Sequence, residues 1–302
     1  MLDWIQRLRD AEDARFWRRI NPDSPVSDDP FQRIRSFDEA DPSAVGRYES
    51  QLKEEGYFQS EPLVPVTTLE EMVNCVNGVQ RAGFPPIFAL VYDVFFSVFA
   101  HLHSTLEGVL GPGCQLVPDL WIHYVNNDDA AAGAPAHRDD EHENTVGPDG
   151  RPKLLTVWVA LTDATPMNSC MYVLPASRDP EYVKALKNLD QSGVRFPLEN
   201  IRAIPARAGT MSCWNQHVLH WGSRSSRRAA HPRISYAAYY QRGDSPPITG
   251  VVFSVPSAID FARRVGAICR GLDIYSGRMA AEHPSGPLRE FIEHHLEALR
   301  SR

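Results

Sequence analysis

From Cys114 onward the chain breaks into short strand-like runs, and that change of pattern limits the folds open to it. The runs are 116–125, 154–161, 170–175, 201–204, 210–214, 218–221 and 234–241, with 251–255 as a candidate eighth. They are rich in aromatic and β-branched residues and are punctuated by Gly, Pro, Asn and Asp, the signals of strands and tight connections. Helical periodicity flanks them. An amphipathic helix is expected over residues 1–20, another over 44–55, and one near 67–83 with Thr67 and Thr68 as caps. A long, nearly all-apolar helix is expected from Ile87 to Leu110, and two more near 257–272 and 287–300. Residues 179–200 read as an insertion, helical over Pro180–Leu189. Seven or eight short strands between helices point to a mainly β fold, a jelly roll or double-stranded β-helix with N- and C-terminal helices.

At 302 residues the chain suits one domain: a mostly helical part to 113, a jelly-roll core over 114–256, and a helical tail over 257–302. The net charge of −7 lacks the basic stripe of a nucleic-acid binder, so no nucleic-acid partner is expected. The apolar stretch Ile87–Leu102 contains Asp93 and His101 and is too short to span a membrane. The N-terminus shows no apolar signal segment. The five cysteines are scattered, with no C-x-x-C pair, which fits a reducing cytoplasm. The expected partner is a small-molecule substrate. Scarce lysine beside abundant arginine, alanine and proline fits a GC-rich bacterial origin and a role in secondary metabolism.

Two stretches carry chemistry. Ala136-His137-Arg138-Asp139 places an imidazole and a carboxylate two residues apart, on one side of an extended chain. His220, in a later strand, supplies a third ligand. Two histidines and a carboxylate on one face leave the other positions of an iron ion open, the arrangement of non-haem Fe(II) oxygenases. A 2-oxo acid cosubstrate needs two of those positions and dioxygen one. His217 competes with His220, but residues three apart in a strand cannot both aim at one ion, and His220 is the choice here. Asp140 and His142 stand nearby as solvated or outer groups.

Arg233 opens the strand-like run Ile234–Tyr240. An inward, buried guanidinium requires an anion, and its planar fork matches a carboxylate, here the distal one of 2-oxoglutarate. Ser235, two residues on, shares its face. Trp158 stands either against that cosubstrate or in the barrel core. His123, Tyr124, Asp140 and Trp221 are candidates for substrate contact.

These segments, with 157–163, Asn168–Ser177 and His220-Trp221-Gly222-Ser223, resemble the phytanoyl-CoA dioxygenase family of Fe(II)/2-oxoglutarate-dependent oxygenases over roughly 116–242. The resemblance implies Fe(II) held by two His and one Asp, 2-oxoglutarate and O2 as cosubstrates, and oxidation of a C–H bond coupled to formation of succinate and CO2. The chain departs from the family pattern at Asn168-Ser169, usually Asn-Gly, and at Pro175-Ala176-Ser177-Arg178, usually Pro-Gly-Ser-His. Related halogenases carry a small residue where Asp139 stands, so hydroxylation or a related oxidation is expected. The alternative is a cupin-like metal-dependent isomerase or small-molecule binding protein without redox chemistry, for which Arg233 and Ser235 would be superfluous.

Overall fold

The computed structural model describes residues 2–140, 142–183, 198–248, 250–279 and 286–300. Its helical part begins with α1 (Leu2–Ala11) and α2 (Ala14–Ile20) rather than one helix. The break falls at Asp13, whose extended backbone and carboxylate cap α2 by accepting from the Arg15 N–H at 2.9 Å. Helix α3 (Pro42–Glu55) has Asp41 as its cap and Pro42 in its first turn. Gly56 closes it at a φ of 77°, which glycine adopts without strain. Helix α4 (Val66–Arg81) starts after Pro65 with no side-chain cap, so Thr67 and Thr68 lie within its first turn.

The single helix expected over Ile87–Leu110 is four pieces: a 3₁₀ turn at Pro86–Val91, α5 (Val94–Ser97), a second 3₁₀ turn at Val98–His101, and α6 (His103–Leu110). A long-range contact breaks it. Tyr92 is extended and the Asp93 N–H donates to the Pro25 carbonyl at 3.0 Å. The Asp93 carboxylate receives the buried Arg264 guanidinium at 2.7 Å and the Ser27 hydroxyl at 2.6 Å.

The strands form two antiparallel sheets. β1 (Tyr57–Pro62), β6 (Thr210–Asn215), β3 (Leu154–Ala160), β8 (Arg233–Gln241) and β2 (Gln115–Val125) lie in that order in the larger sheet. β5 (Arg202–Ile204), β4 (Met171–Leu174) and β7 (Leu219–Gly222) form the smaller one. This is a double-stranded β-helix flanked by helices. Two details differ from expectation. β1 arises from the helical N-terminal part and pairs along β6, with Phe58 opposite Cys213. Residues 251–255 form no strand, and Phe253 alone bridges to Leu116.

Strand alternation sorts the side chains into two layers. Phe58, Leu155, Val157, Val159, Cys213, Ile234, Tyr236, Ala238 and Tyr240 face outward into one core shared with the helices. Trp158, Ala160 and Trp214 face inward and meet Cys170, Met171, Val173, Ile204 and Val218 between the sheets. Short helix α7 (His142–Thr145) follows the His137 loop. Helices α8 (Phe261–Met279) and α9 (Pro287–Arg300) complete the outer layer. α8 presses on β2 at Gly271, where a Cβ would stand 2.7 Å from the Leu120 carbonyl oxygen. The helix expected over Pro180–Leu189 lies largely outside the described residues; Pro180–Val183 form a turn. Among the described residues no helix is long and apolar enough to cross a membrane.

Candidate metal centre

His137 and Asp139 sit on an irregular segment, not in a strand, and backbone pairing with β7 places them. The His137 and His220 peptides exchange two hydrogen bonds, each of 3.0 Å, and the Asp139 N–H donates to the Gln216 carbonyl at 2.8 Å. The result gathers three side chains. His137, Asp139 and His220 each offer a ligand atom, and these atoms lie within 4.8 Å of one another. His137 Nε2 is 3.4 Å from Asp139 Oδ1, and His220 Nε2 is 3.7 Å from Asp139 Oδ2.

The orientation of both rings is set from behind. His137 Nδ1 faces the Pro135 carbonyl at 2.7 Å and His220 Nδ1 faces the Val218 carbonyl at 3.0 Å. A carbonyl can only accept, so Nδ1 carries the proton in each ring and Nε2 presents its lone pair to the shared space. Asp139 is held likewise: the Thr156 hydroxyl donates to Oδ2 at 2.7 Å and the Trp214 indole N–H at 3.2 Å. Burial pushes the His220 imidazole down to about 4, against the pull of the Asp139 carboxylate. Burial would raise the Asp139 carboxyl, but His220, His137 and Thr156 outweigh it and hold the group well below the usual carboxylate range. A neutral imidazole and an ionised carboxylate are the forms that bind a divalent metal. Thr156 and Trp214 were not foreseen; the one polar residue in the apolar run 154–161 was the available signal.

Arg233 lies inward on β8 and is 1% exposed. Its Nε donates to the Ser169 carbonyl at 3.1 Å, Nη1 to the Ser235 hydroxyl at 2.6 Å, and Nη2 to the Ser169 hydroxyl at 3.4 Å. Its guanidinium stands 5.7 Å from the centre of the Trp158 ring, which is itself buried in the inner core. No carboxylate among the described residues pairs with it. Burial lowers its pKa to about 10, so it remains charged at neutral pH. Of five guanidinium donors three are used; the two left match a carboxylate's two oxygens.

The other expected residues divide. His123 faces inward beside Ser235, its cross-strand partner, and keeps accessible surface. Burial, Arg233 and His137 push it down to about 3, so it is a neutral group at the site. Tyr124, opposite Ile234, alternates to the other face of β2 and packs against the outer core. Trp221, next to His220 on β7, stacks on Tyr172 with ring centres 5.8 Å apart. Asp140 lies outside the ligand group and accepts from Asn144 at 3.1 Å. His217 is fully buried with Nδ1 on the Asp140 carbonyl at 2.8 Å, and the group contains His220 instead. The His142 side chain lies outside the description.

Beyond His123 the inner face of β2 and β8 continues as an aromatic wall. Trp121, opposite Ala237 and also touching the outer core, and Tyr239 are half-buried there, and α8 reaches over the sheet edge with Tyr275. The Tyr275 hydroxyl donates to the Tyr239 hydroxyl at 3.0 Å, and its ring lies 5.2 Å from that of Trp121. Burial raises the Tyr239 phenol, with Asp139 adding to the effect, so this wall stands within electrostatic reach of the ligand group.

The sequence pattern of the phytanoyl-CoA dioxygenase (PhyH) family matches residues 93–230, a segment that contains all three grouped side chains. Over that segment the chain is similar to the phytanoyl-CoA dioxygenase family. Arg233 and Ser235 lie just past the matched segment. Among solved structures, a non-heme monooxygenase described as the ThoJ-Ni complex superposes with a TM-score of 0.53 at 15% identity, over 84% of this chain and 96% of that one. That likeness shows a shared fold. The non-heme alpha ketoglutarate dependent epimerase SnoN from nogalamycin biosynthesis gives 0.49 at 18% identity, over 67% of this chain and 84% of that one. EctD from S. alaskensis with 2-oxoglutarate and 5-hydroxyectoine gives 0.48 at 16%, over 73% and 84%. No curated protein sequence matches this one. As in the phytanoyl-CoA dioxygenase family resemblance read from the sequence, the His-x-Asp segment and the distant His come together.

Proposed function

We propose that this chain is an Fe(II)- and 2-oxoglutarate-dependent oxygenase that hydroxylates a small molecule, with His137, Asp139 and His220 as iron ligands. The observation that carries the reading is Arg233: a buried guanidinium with no carboxylate partner among the described residues, which acts on His123 together with the three ligand side chains. Burying such a charge is costly unless an anion completes it. The donor set fits the metal too, since two imidazoles with Nδ1 on backbone carbonyls and an ionised carboxylate converge. Bound Fe(II) supplies dioxygen activation coupled to decarboxylation of 2-oxoglutarate to succinate and CO2.

The protein's own part is placement. Arg233 and Ser235 receive the distal carboxylate of 2-oxoglutarate, with Trp158 beneath the guanidinium. His123, neutral in this setting, and the Trp121–Tyr239–Tyr275 wall receive the substrate and exclude water from its reacting carbon. Asp139 occupies the third ligand place, which favours hydroxylation over halogenation. We take residues 1–302 as one catalytic unit, since β1 from the helical part completes the larger sheet. Five free cysteines fit a cytoplasmic enzyme of bacterial secondary metabolism.

The test is anaerobic titration of the metal-free protein with Fe(II) and then 2-oxoglutarate. A visible charge-transfer band that needs both, and that is lost in His137→Ala, supports the reading. Iron binding without that band favours a cupin-like isomerase or binding protein. No metal binding overturns the ligand assignment.

A further inference from the structure

Among the described residues, Ser169 alone combines a side chain with a left-handed backbone, at a φ of 71°. L residues avoid this region because the Cβ crowds the backbone, and such strain persists where the surroundings over-determine it. The surroundings here are built. The Asn168 carboxamide accepts from the Thr165 N–H at 2.6 Å and donates to the Asp163 carbonyl at 2.8 Å. The Cys170 N–H closes the turn on the Thr165 carbonyl at 2.9 Å. The turn aims Ser169 at Arg233: its carbonyl takes Nε and its hydroxyl takes Nη2.

Glycine would hold the same backbone without strain, so what serine adds is the hydroxyl. Space for it comes from two bare backbones. A Cβ on Gly133 would stand 2.9 Å from the Ser169 hydroxyl oxygen, and one on Gly222 3.2 Å from it. The same Gly133 position lies 3.1 Å from Arg233 Nη2. The hydroxyl is therefore enclosed, with no exposed surface on its residue, beside the guanidinium.

We propose that Ser169 is a positioning residue for the distal carboxylate of the cosubstrate: its hydroxyl and carbonyl grip Arg233 from behind and turn the two remaining N–H groups toward that carboxylate. This rests on the proposed 2-oxoglutarate site. Ser169 does not touch the reacting atoms; it acts through Arg233. Its strain is retained for ligand recognition, not for the fold.

The experiment compares wild type, Ser169→Gly and Ser169→Ala. Thermal unfolding of the metal-free proteins reads the strain. Anaerobic titration of the Fe(II)-loaded proteins with 2-oxoglutarate, and with 2-oxobutyrate, which lacks the distal carboxylate, reads the recognition. Ser169→Gly is expected to melt a few degrees higher and to bind 2-oxoglutarate about fivefold more weakly, the size of one lost hydrogen bond. Its affinity for 2-oxobutyrate stays at the wild-type level. Ser169→Ala keeps the strain, so it shows the weaker binding without the gain in melting temperature. Unchanged 2-oxoglutarate affinity in both variants overturns the proposal, and so does an equal loss for both acids, which marks a collapsed site. A lower melting temperature for Ser169→Gly overturns the strain argument. If wild type binds neither acid, the proposed function itself fails, an outcome distinct from the other three.

Discussion

Thr156 and Trp214 stand opposite each other on β3 and β6, and both donate to one oxygen of Asp139, at 2.7 and 3.2 Å. The carboxylate that joins the two imidazoles is thus aimed by a cross-strand pair, not by its own loop. Thr156→Val keeps the shape and removes one donor. We expect its affinity for Fe(II) to fall about 10- to 100-fold, the usual cost of losing an outer partner of a ligand. The melting temperature of the metal-free protein should change little. Competition with a chromogenic chelator measures the first and calorimetry the second.

Arg233→Met removes the buried charge and keeps the bulk of the side chain. In wild type loaded with metal, 2-oxoglutarate at a hundred times its dissociation constant should stabilise the fold by about 2.7 kcal/mol through mass action. In Arg233→Met that gain should vanish, while metal binding stays. Thermal shift with and without 2-oxoglutarate decides it.

The Asp93–Arg264 pair, 2.7 Å apart and almost fully buried, is a fold element distant from the chemistry. Removing one partner leaves a buried charge alone. Asp93→Ala should lower stability by about 3–5 kcal/mol, read from urea unfolding. An effect under 1 kcal/mol would show that water reaches Arg264.

All five cysteines are free and buried. Burial pushes the Cys75 and Cys114 thiols up to about 12 and Cys170 to about 11, and raises Cys213 and Cys269 as well. Native protein at pH 8 should therefore react very slowly with a disulfide reagent such as Ellman's, and release five thiols after denaturation. A fast-reacting thiol in the native protein would contradict the packing around it.

Much of this architecture could be read from residues alone, for physical reasons. Seven strands announced themselves because β-branched and aromatic residues cluster between turn formers. β1 did not, because Tyr57–Pro62 carries Gln, Ser, Glu and Pro and becomes a strand only by pairing with β6. The group of His137, Asp139 and His220 was visible because an imidazole and a carboxylate stand two residues apart and a further His lies in a later strand. The faces of Tyr124 and Trp221 were not legible because a strand's parity depends on its partner strand. The break at Tyr92 and the role of Thr156 depend on contacts far away in sequence, with Arg264 and Asp139.

The division of β8 between two layers makes that strand a reading frame. Arg233, Ser235, Ala237 and Tyr239 turn to the side of the candidate site, while Ile234, Tyr236, Ala238 and Tyr240 turn to the core shared with the helices. Point changes at odd and even positions should therefore be tolerated under different rules, one set by ligands and the other by volume. One inserted residue just after Arg233 would satisfy neither, because it would turn Ser235 and Tyr239 into the oily layer and Tyr236 and Tyr240 into the pocket at a stroke.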